Sequence, residues 1–324
     1  MTDGASARGM AHRWVDVRGL RLHCVEAGTG PLVVLLHGFP EFWYAWRHQL
    51  PALAGAGYRV VAPDLPGYNT SDKPPRVRDY RPRLLAQAVA DLIVALGAGS
   101  ATVAGHDWGG ALAWLLAMHH PELVERLVIL NAPHPIRFLK GLGSPRQLRR
   151  SWYILAFQLP WLPERLVAAW DFRALRRALG RQPTRPGAFT AQDIDRYVAA
   201  AAQPGALRAA INYYRAAVRA NPLAQAQTLR RVDIPTLVIW GDQDRYLGRE
   251  LAEPDPAWVP DVRVERIAEA SHWVQADAPS GSTNSWWTSS SSLSAASWEL
   301  STPGGSRRRL SQGRPSSSQH LDHG

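Results

Sequence analysis

The chain has 324 residues, 46% of them hydrophobic and 20% charged, a balance that suits a globular protein with one large core or two smaller ones. No apolar run approaches the roughly 20 residues of a membrane span, and the lone Cys24 excludes a disulfide framework and a cysteine-built metal site. The net charge of +10 is mostly arginine, much of it at helical spacing through residues 137–231 as in "RQLRR" and "RALRRALGR". It reads as a solvated helix face. With no nucleic-acid or zinc motif alongside, neither a nucleic-acid nor a membrane partner is expected.

The opening "MTDGASARGMAHRW" has no apolar stretch, so a cytoplasmic location is expected. "RWVDVRG" and "LRLHCVEAG" then predict two short strands joined at a glycine turn, with Cys24 a small buried hydrophobe. "PLVVLLHG" (31–38) is a continuous apolar run ending in glycine, the signature of a strand buried on both faces. "GYRVVAPDLPG" (57–67), "ATVAGHD" (101–107), "ERLVILNAP" (125–133), "IPTLVIWGD" (234–242) and "VRVERI" (262–267) predict further strands. "FWYAWRHQLPALA", "YRPRLLAQAVADLIVALGA" and "GALAWLLAMHH" fall between them with helical periodicity. That alternation predicts a mostly parallel sheet with helices on both faces.

The rhythm breaks after "NAPHP" (131–135), and residues 136–230 show helical patterns without a convincing strand. A helical lid inserted between two strands of one sheet is expected there. It divides a hydrolase-like core into residues 12–135 and 231–279, and lies over the strand C-terminal ends where open α/β sheets bind ligands. Residues 280–324 are Ser- and Gly-rich and without periodicity, and disorder is expected of them. Back-translated with GC-rich codons and read one base earlier, the segment after Pro279 spells E-R-V-N-E-Q-L-V-D-F-L, an amphipathic helix. The unambiguous codons of Trp286 and Trp287 limit the freedom of that reading. A one-base frameshift is therefore expected after Pro279, and it leaves Trp298 and the Arg307–Arg309 run without a functional reading.

Each glycine-ended strand carries chemistry at its end. "HGFP" (37–40) follows the third strand, "GHDWGG" (105–110) the fifth, "GDQDRYLG" (241–248) the seventh and "ASHWVQADAP" (270–279) the eighth. In a parallel sheet these ends share one edge. Asp107, Asp244 and His272 then converge as nucleophile, acid and base, in the chain order of a nucleophile elbow. Flanking glycines allow the sharp strand-to-helix turn that lifts Asp107 into the cleft. A plain helix N-cap is the competing role for Asp107, and Asp242 competes with Asp244.

"HGFPEFWYAWRHQL", "APDLPGYNTSDKP", "GHDWGG", "NAPHP", "SWYILAFQLP", "NYYRA", "GDQD" and "ASHWVQADAP" together resemble the epoxide hydrolases of the α/β-hydrolase superfamily, from about residue 12 to 279. The resemblance implies an α/β fold with a lid and no cofactor or metal. It implies attack of Asp107 on an epoxide carbon to give an ester, which water activated by His272 then cleaves, with Asp244 orienting the imidazole. The family's two lid tyrosines fall on Tyr153 and Tyr214, with Tyr213 the neighbour that can be confused with the latter. Backbone N–H groups of Phe39 and Trp108 would form the oxyanion hole. His37 would support its loop, and Trp108, Trp273 and Phe39 would line an apolar pocket. The expected partners are a small apolar epoxide and water. A haloalkane dehalogenase with the same Asp-His-Asp set, or a non-catalytic binding protein on this fold, are the alternatives.

Overall fold

The computed structural model describes residues 9–220 and 226–280. Eight strands form one sheet in the order β1-β2-β4-β3-β5-β6-β7-β8. They are β1 (Met10–Val17), β2 (Leu20–Ala27), β3 (Leu32–Leu36), β4 (Arg59–Pro63), β5 (Ala101–His106), β6 (Val124–Leu130), β7 (Thr236–Gly241) and β8 (Val262–Ile267). The β1–β2 hairpin turns at Arg18 and Gly19, both with positive φ, as a tight two-residue turn requires. The hairpin pairs antiparallel with β4, and every later pairing is parallel.

The continuous apolar runs are buried on both sides, as the sequence predicts. One set of alternate residues, including Val34, Leu36, Val103, Leu127 and Val238, packs under helices α2 (Pro82–Ala95) and α3 (Trp108–His119). The other set, including Val33, Leu35, Ala104, Val128 and Ile239, packs against α1 (Gln49–Gly55) and Val274. The single helix expected over "FWYAWRHQLPALA" is split. A 3₁₀ turn covers Trp43–Trp46, and α1 starts only after His48. Pro51 then falls in the first turn of α1, where a missing N–H costs nothing.

Between β6 and β7 the described chain is helical: α4 (Pro135–Gly141), α5 (Pro145–Arg150), α6 (Trp152–Ala156), α7 (Leu162–Arg181), α8 (Ala191–Ala201) and α9 (Ala206–Arg219). Helix α7 is broken within, where Trp170, Asp171 and Phe172 all adopt left-handed backbone angles. This insertion is tied down on the core. Thr184 and Arg185 donate backbone N–H groups to Asp277 Oδ1 at 3.0 and 3.1 Å, next to α10 (Val274–Asp277). Tyr44 donates its hydroxyl to Asp193 of α8 at 2.8 Å. Of the segment expected to be frameshifted after Pro279, all but Ser280 lies outside the described residues.

The glycines around the β5–α3 turn are required by close approach. A Cβ on Gly109 would run into the carbonyl oxygens of Leu36 and His37, and one on Gly105 into the Gly109 carbonyl. Gly109→Ala is therefore expected to lower the free energy of unfolding by about 1–3 kcal/mol. Gly55→Ala, where a Cβ meets open space at the end of α1, should raise it by up to about 1 kcal/mol. Urea unfolding of both variants checks the contrast; equal effects would remove the steric reading of Gly109.

Candidate active site

Asp107 stands between β5 and α3 with φ 50° and ψ −118°. A non-glycine residue in that region stores strain of about 1–3 kcal/mol. The surrounding contacts hold it there. Its side chain makes no capping bond to α3, so the N-cap role fails. The carboxylate is turned instead into the cleft, where Oδ1 accepts the Phe39 backbone N–H at 2.8 Å. Oδ2 lies 3.6 Å from His272 Nε2. Trp108 opens α3 and so contributes one of the N–H groups that a helix start leaves without an intrahelical acceptor.

His272 lies beyond β8, and its Nδ1 donates to Asp244 Oδ2 at 2.7 Å. Asp244 sits in the turn after β7. Its Oδ1 accepts backbone N–H groups of Tyr246 and Leu247 at 2.7 and 2.9 Å, and its Oδ2 accepts the Asn131 amide at 2.8 Å. Asp242 is elsewhere engaged, in a two-bond pair with Arg266 at the surface. Burial alone would lower the imidazole pKa. Asp244, the bond it makes and Asp107 outweigh burial and raise it from 6.5 to about 9. Burial acts to raise the Asp244 carboxyl, and the imidazole with its hydrogen bond holds it below its usual value.

Two tyrosines and three apolar rings stand over Asp107. Tyr153 comes from α6 and Tyr214 from α9, with ring centroids 5.7 Å apart. Tyr214 meets Trp108, Phe39 and Phe157 at 5.1, 5.3 and 5.0 Å. Burial and then Asp107 push both phenols well above their usual pKa, so both keep their protons. Tyr213 is turned away and donates its hydroxyl to the Pro66 carbonyl at 2.7 Å. Trp273 packs behind His272, against Phe189 and Tyr246. His37 accepts the Leu65 N–H at 3.0 Å and fixes the loop.

Residues 31–279 match the family described as the alpha/beta hydrolase fold. The Bacillus subtilis AB hydrolase superfamily protein YfhM is 44% identical over 275 residues, covering 84% of this chain and 94% of that protein. Mouse epoxide hydrolase 4 is 41% identical over 278 residues, covering 83% of this chain and 76% of that one. Among solved structures, a Bacillus megaterium epoxide hydrolase bound to an inhibitor superposes with a TM-score of 0.77 at 31% identity, over 85% of this chain and 98% of that one. The chain belongs to the epoxide hydrolases of the α/β-hydrolase superfamily.

Within this family frame the structure adds residues that the sequence reading left without a role. Asn131, with φ 41°, binds Asp244 and also accepts the Gly241 N–H at 2.8 Å, so it ties the ends of β6 and β7 together under the acid. Glu41 and His106 are buried behind the base. His106 Nδ1 lies 2.7 Å from Glu41 Oε2, and its Nε2 lies 2.8 Å from the His272 carbonyl oxygen. Burial would raise the Glu41 carboxyl, and His106 with the Gly38 N–H brings it below its usual value. The only sequence signal was position, since Glu41, His106 and Asn131 all follow or end strands on the catalytic edge. No cluster of three or more His, Cys, Asp or Glu suited to a metal occurs among the described residues.

A pKa raised in the folded chain means that the protonated imidazole favours folding. That contribution is complete below pH 6.5 and is lost as pH rises through about 9. Melting temperature is expected to fall across this window more steeply for the wild type than for His272→Gln. Asp244→Asn should lower the imidazole pKa, as read by NMR titration of labelled histidine. An unchanged His272 titration in that variant would break the assignment of Asp244.

Proposed function

We propose that the protein hydrolyses epoxides to vicinal diols through a covalent ester on Asp107. The observation that carries this reading is a carboxylate, rather than a hydroxyl, at the strained elbow, 3.6 Å from a buried histidine and facing two protonated tyrosines. An epoxide carbon is saturated and is opened by backside displacement. Asp107 attacks it, the C–O bond breaks, and the ring oxygen takes a proton from Tyr153 or Tyr214 as charge develops. The product is a carboxylic ester, which water attacks at the carbonyl. His272 takes one proton of that water, and Asp244 holds the imidazole with Nε2 toward it. The tetrahedral intermediate then collapses and the ester C–O bond breaks. The diol oxygen leaves with the proton of the imidazolium, and the Asp107 carboxyl proton returns to His272. The tetrahedral oxyanion would be met by the Phe39 N–H, which already donates to Asp107 Oδ1, and by the N–H of Trp108 at the start of α3.

The charges support this order of steps. In the free site Asp107 helps hold the imidazole at about 9. Esterification removes that negative charge, so the imidazole gives up its proton more readily in the ester, to the tyrosinate left by ring opening, and is neutral when a base is needed. Tyr153 and Tyr214 favour an epoxide oxygen over a halide as leaving group, and Phe39 has no side-chain donor for a halide.

His272→Gln is expected to be alkylated and then to stall, so mass spectrometry of the variant after exposure to an aryl epoxide should find the adduct on Asp107. Tyr153→Phe or Tyr214→Phe should slow alkylation roughly a hundredfold. If bromoalkanes are hydrolysed and both tyrosine variants keep full epoxide activity, the dehalogenase reading takes over.

We also propose the division into core (12–135 and 231–279), lid (136–230) and a frameshifted segment from residue 280. The family match ends at residue 279, and β8 is partly exposed along its length whereas β7 is buried throughout. A helix restored as E-R-V-N-E-Q-L-V-D-F-L would supply several apolar side chains, each worth about 1.5–3 kcal/mol on burial. The frame-restored chain is expected to melt higher and to be more active than the chain with the Ser-rich segment. Equal melting and equal activity would end the frameshift reading.

A further inference from the structure

The lid has an outer face that the reaction does not use. Of thirteen large hydrophobic side chains exposed among the described residues, seven lie within residues 152–170. Trp152, Leu155 and Leu159 recur at helical spacing along α6 and the turn after it. Trp161, Leu166 and Trp170 continue the exposed run along α7, and Trp170 is 79% exposed. Helix α6 is thus two-sided, since Tyr153 and Phe157 face the site while Trp152 and Leu155 face outward.

The charge of the chain is concentrated in the same element. Residues 136–220 hold 15 Arg or Lys and 4 Asp or Glu, an excess of 11 against +10 for the whole protein. All four acids are already engaged. Glu164 pairs with Arg215, Asp171 and Asp195 pair with Arg176, and Asp193 lies against Arg47 and the Tyr44 hydroxyl. Arg146, Arg149, Arg165, Arg173 and Arg177 are exposed and have no carboxylate partner among the described residues. The guanidinium of Arg165 lies over the Trp161 ring, 4.9 Å from its centroid.

We propose that this outer lid face docks on the surface of an anionic lipid bilayer. Exposed tryptophan and leucine interleaved with uncompensated arginine is the chemistry of the headgroup layer: indoles and alkyl chains enter the acyl boundary, and guanidinium groups meet lipid phosphates. A solvated helix face accounts for the arginines but not for the tryptophans among them. The contact is peripheral, since no described helix is long and apolar enough to cross a membrane. It does not depend on the reaction assigned to Asp107.

The test is co-sedimentation of the full chain with phosphatidylcholine vesicles, with and without phosphatidylglycerol. Binding is expected only to the phosphatidylglycerol vesicles and should weaken as salt is added. Arg149→Gln and Arg165→Gln should each weaken it about fivefold. The triple change Trp152→Ser, Leu155→Ser, Trp161→Ser should abolish it while leaving the melting temperature unchanged. Three results would each overturn the proposal: no binding to anionic vesicles, binding unaffected by the triple change in a folded protein, or a lipid-free dimer that the triple change dissociates, which would make a second copy of the chain the occupant. Should the triple variant fail to fold, the arginine variants and the comparison of the two vesicle compositions still decide the matter.

Discussion

A carboxylate and an imidazole buried side by side must satisfy each other, because neither has water to turn to. The Asp244–His272 pair imposes that condition on the whole catalytic edge. With His272 and Asn131 on one oxygen and two backbone N–H groups on the other, Asp244 is fully hydrogen-bonded. This fixes the turn after β7, the left-handed Asn131 after β6 and the tautomer of the base. The opposite side of His272 is held through its own carbonyl by His106, His106 in turn by Glu41, and Glu41 by the Gln275 amide. A ring so constrained can exchange a proton at Nε2 without rotating, which is what the role of base proposed for His272 requires.

How much of this was legible in the sequence follows the physics of each feature. Buried parallel strands are continuous apolar runs and helices are periodic, so the sheet and the helical insertion could be read from local pattern. The strand-end glycines marked the catalytic edge for the same reason, since a sharp turn needs them. Asn131, Glu41 and His106 escaped because their roles are long-range: Glu41 and His106 are 65 positions apart and Asn131 and Asp244 113. Nothing local distinguishes such residues from an ordinary strand-end polar group. Choosing Asp244 over Asp242 likewise rested on the family resemblance. The structure separates them physically, one buried on the imidazole and the other paired with Arg266 at the surface.

The lid escaped differently. Its arginines were visible, but a helical repeat says only that residues share a side, not what the side meets. Tyr153 and Trp152 are adjacent in the chain and end in opposite environments, because successive residues on a helix project about 100° apart. One short helix thereby presents a protonated phenol to the reacting center and an indole to the exterior. The break in α7 at Trp170–Phe172 turns the chain while Trp170 remains outward.

The crowding at the elbow separates the chain path from the chemistry it carries. Gly105, Gly109 and Gly110 are forced by backbone and Cβ atoms of neighbouring elements, and none of these contacts involves the carboxylate itself. The position between them is set by the chain path, while the carboxylate it carries lies against Gly38, Phe39 and His272. The backbone path through residue 107 thus rests on its glycines and not on the carboxylate. A change of side chain at residue 107 would alter the chemistry of the site while leaving that path in place, whereas a side chain at Gly105, Gly109 or Gly110 would have to displace backbone or Cβ atoms of its neighbours.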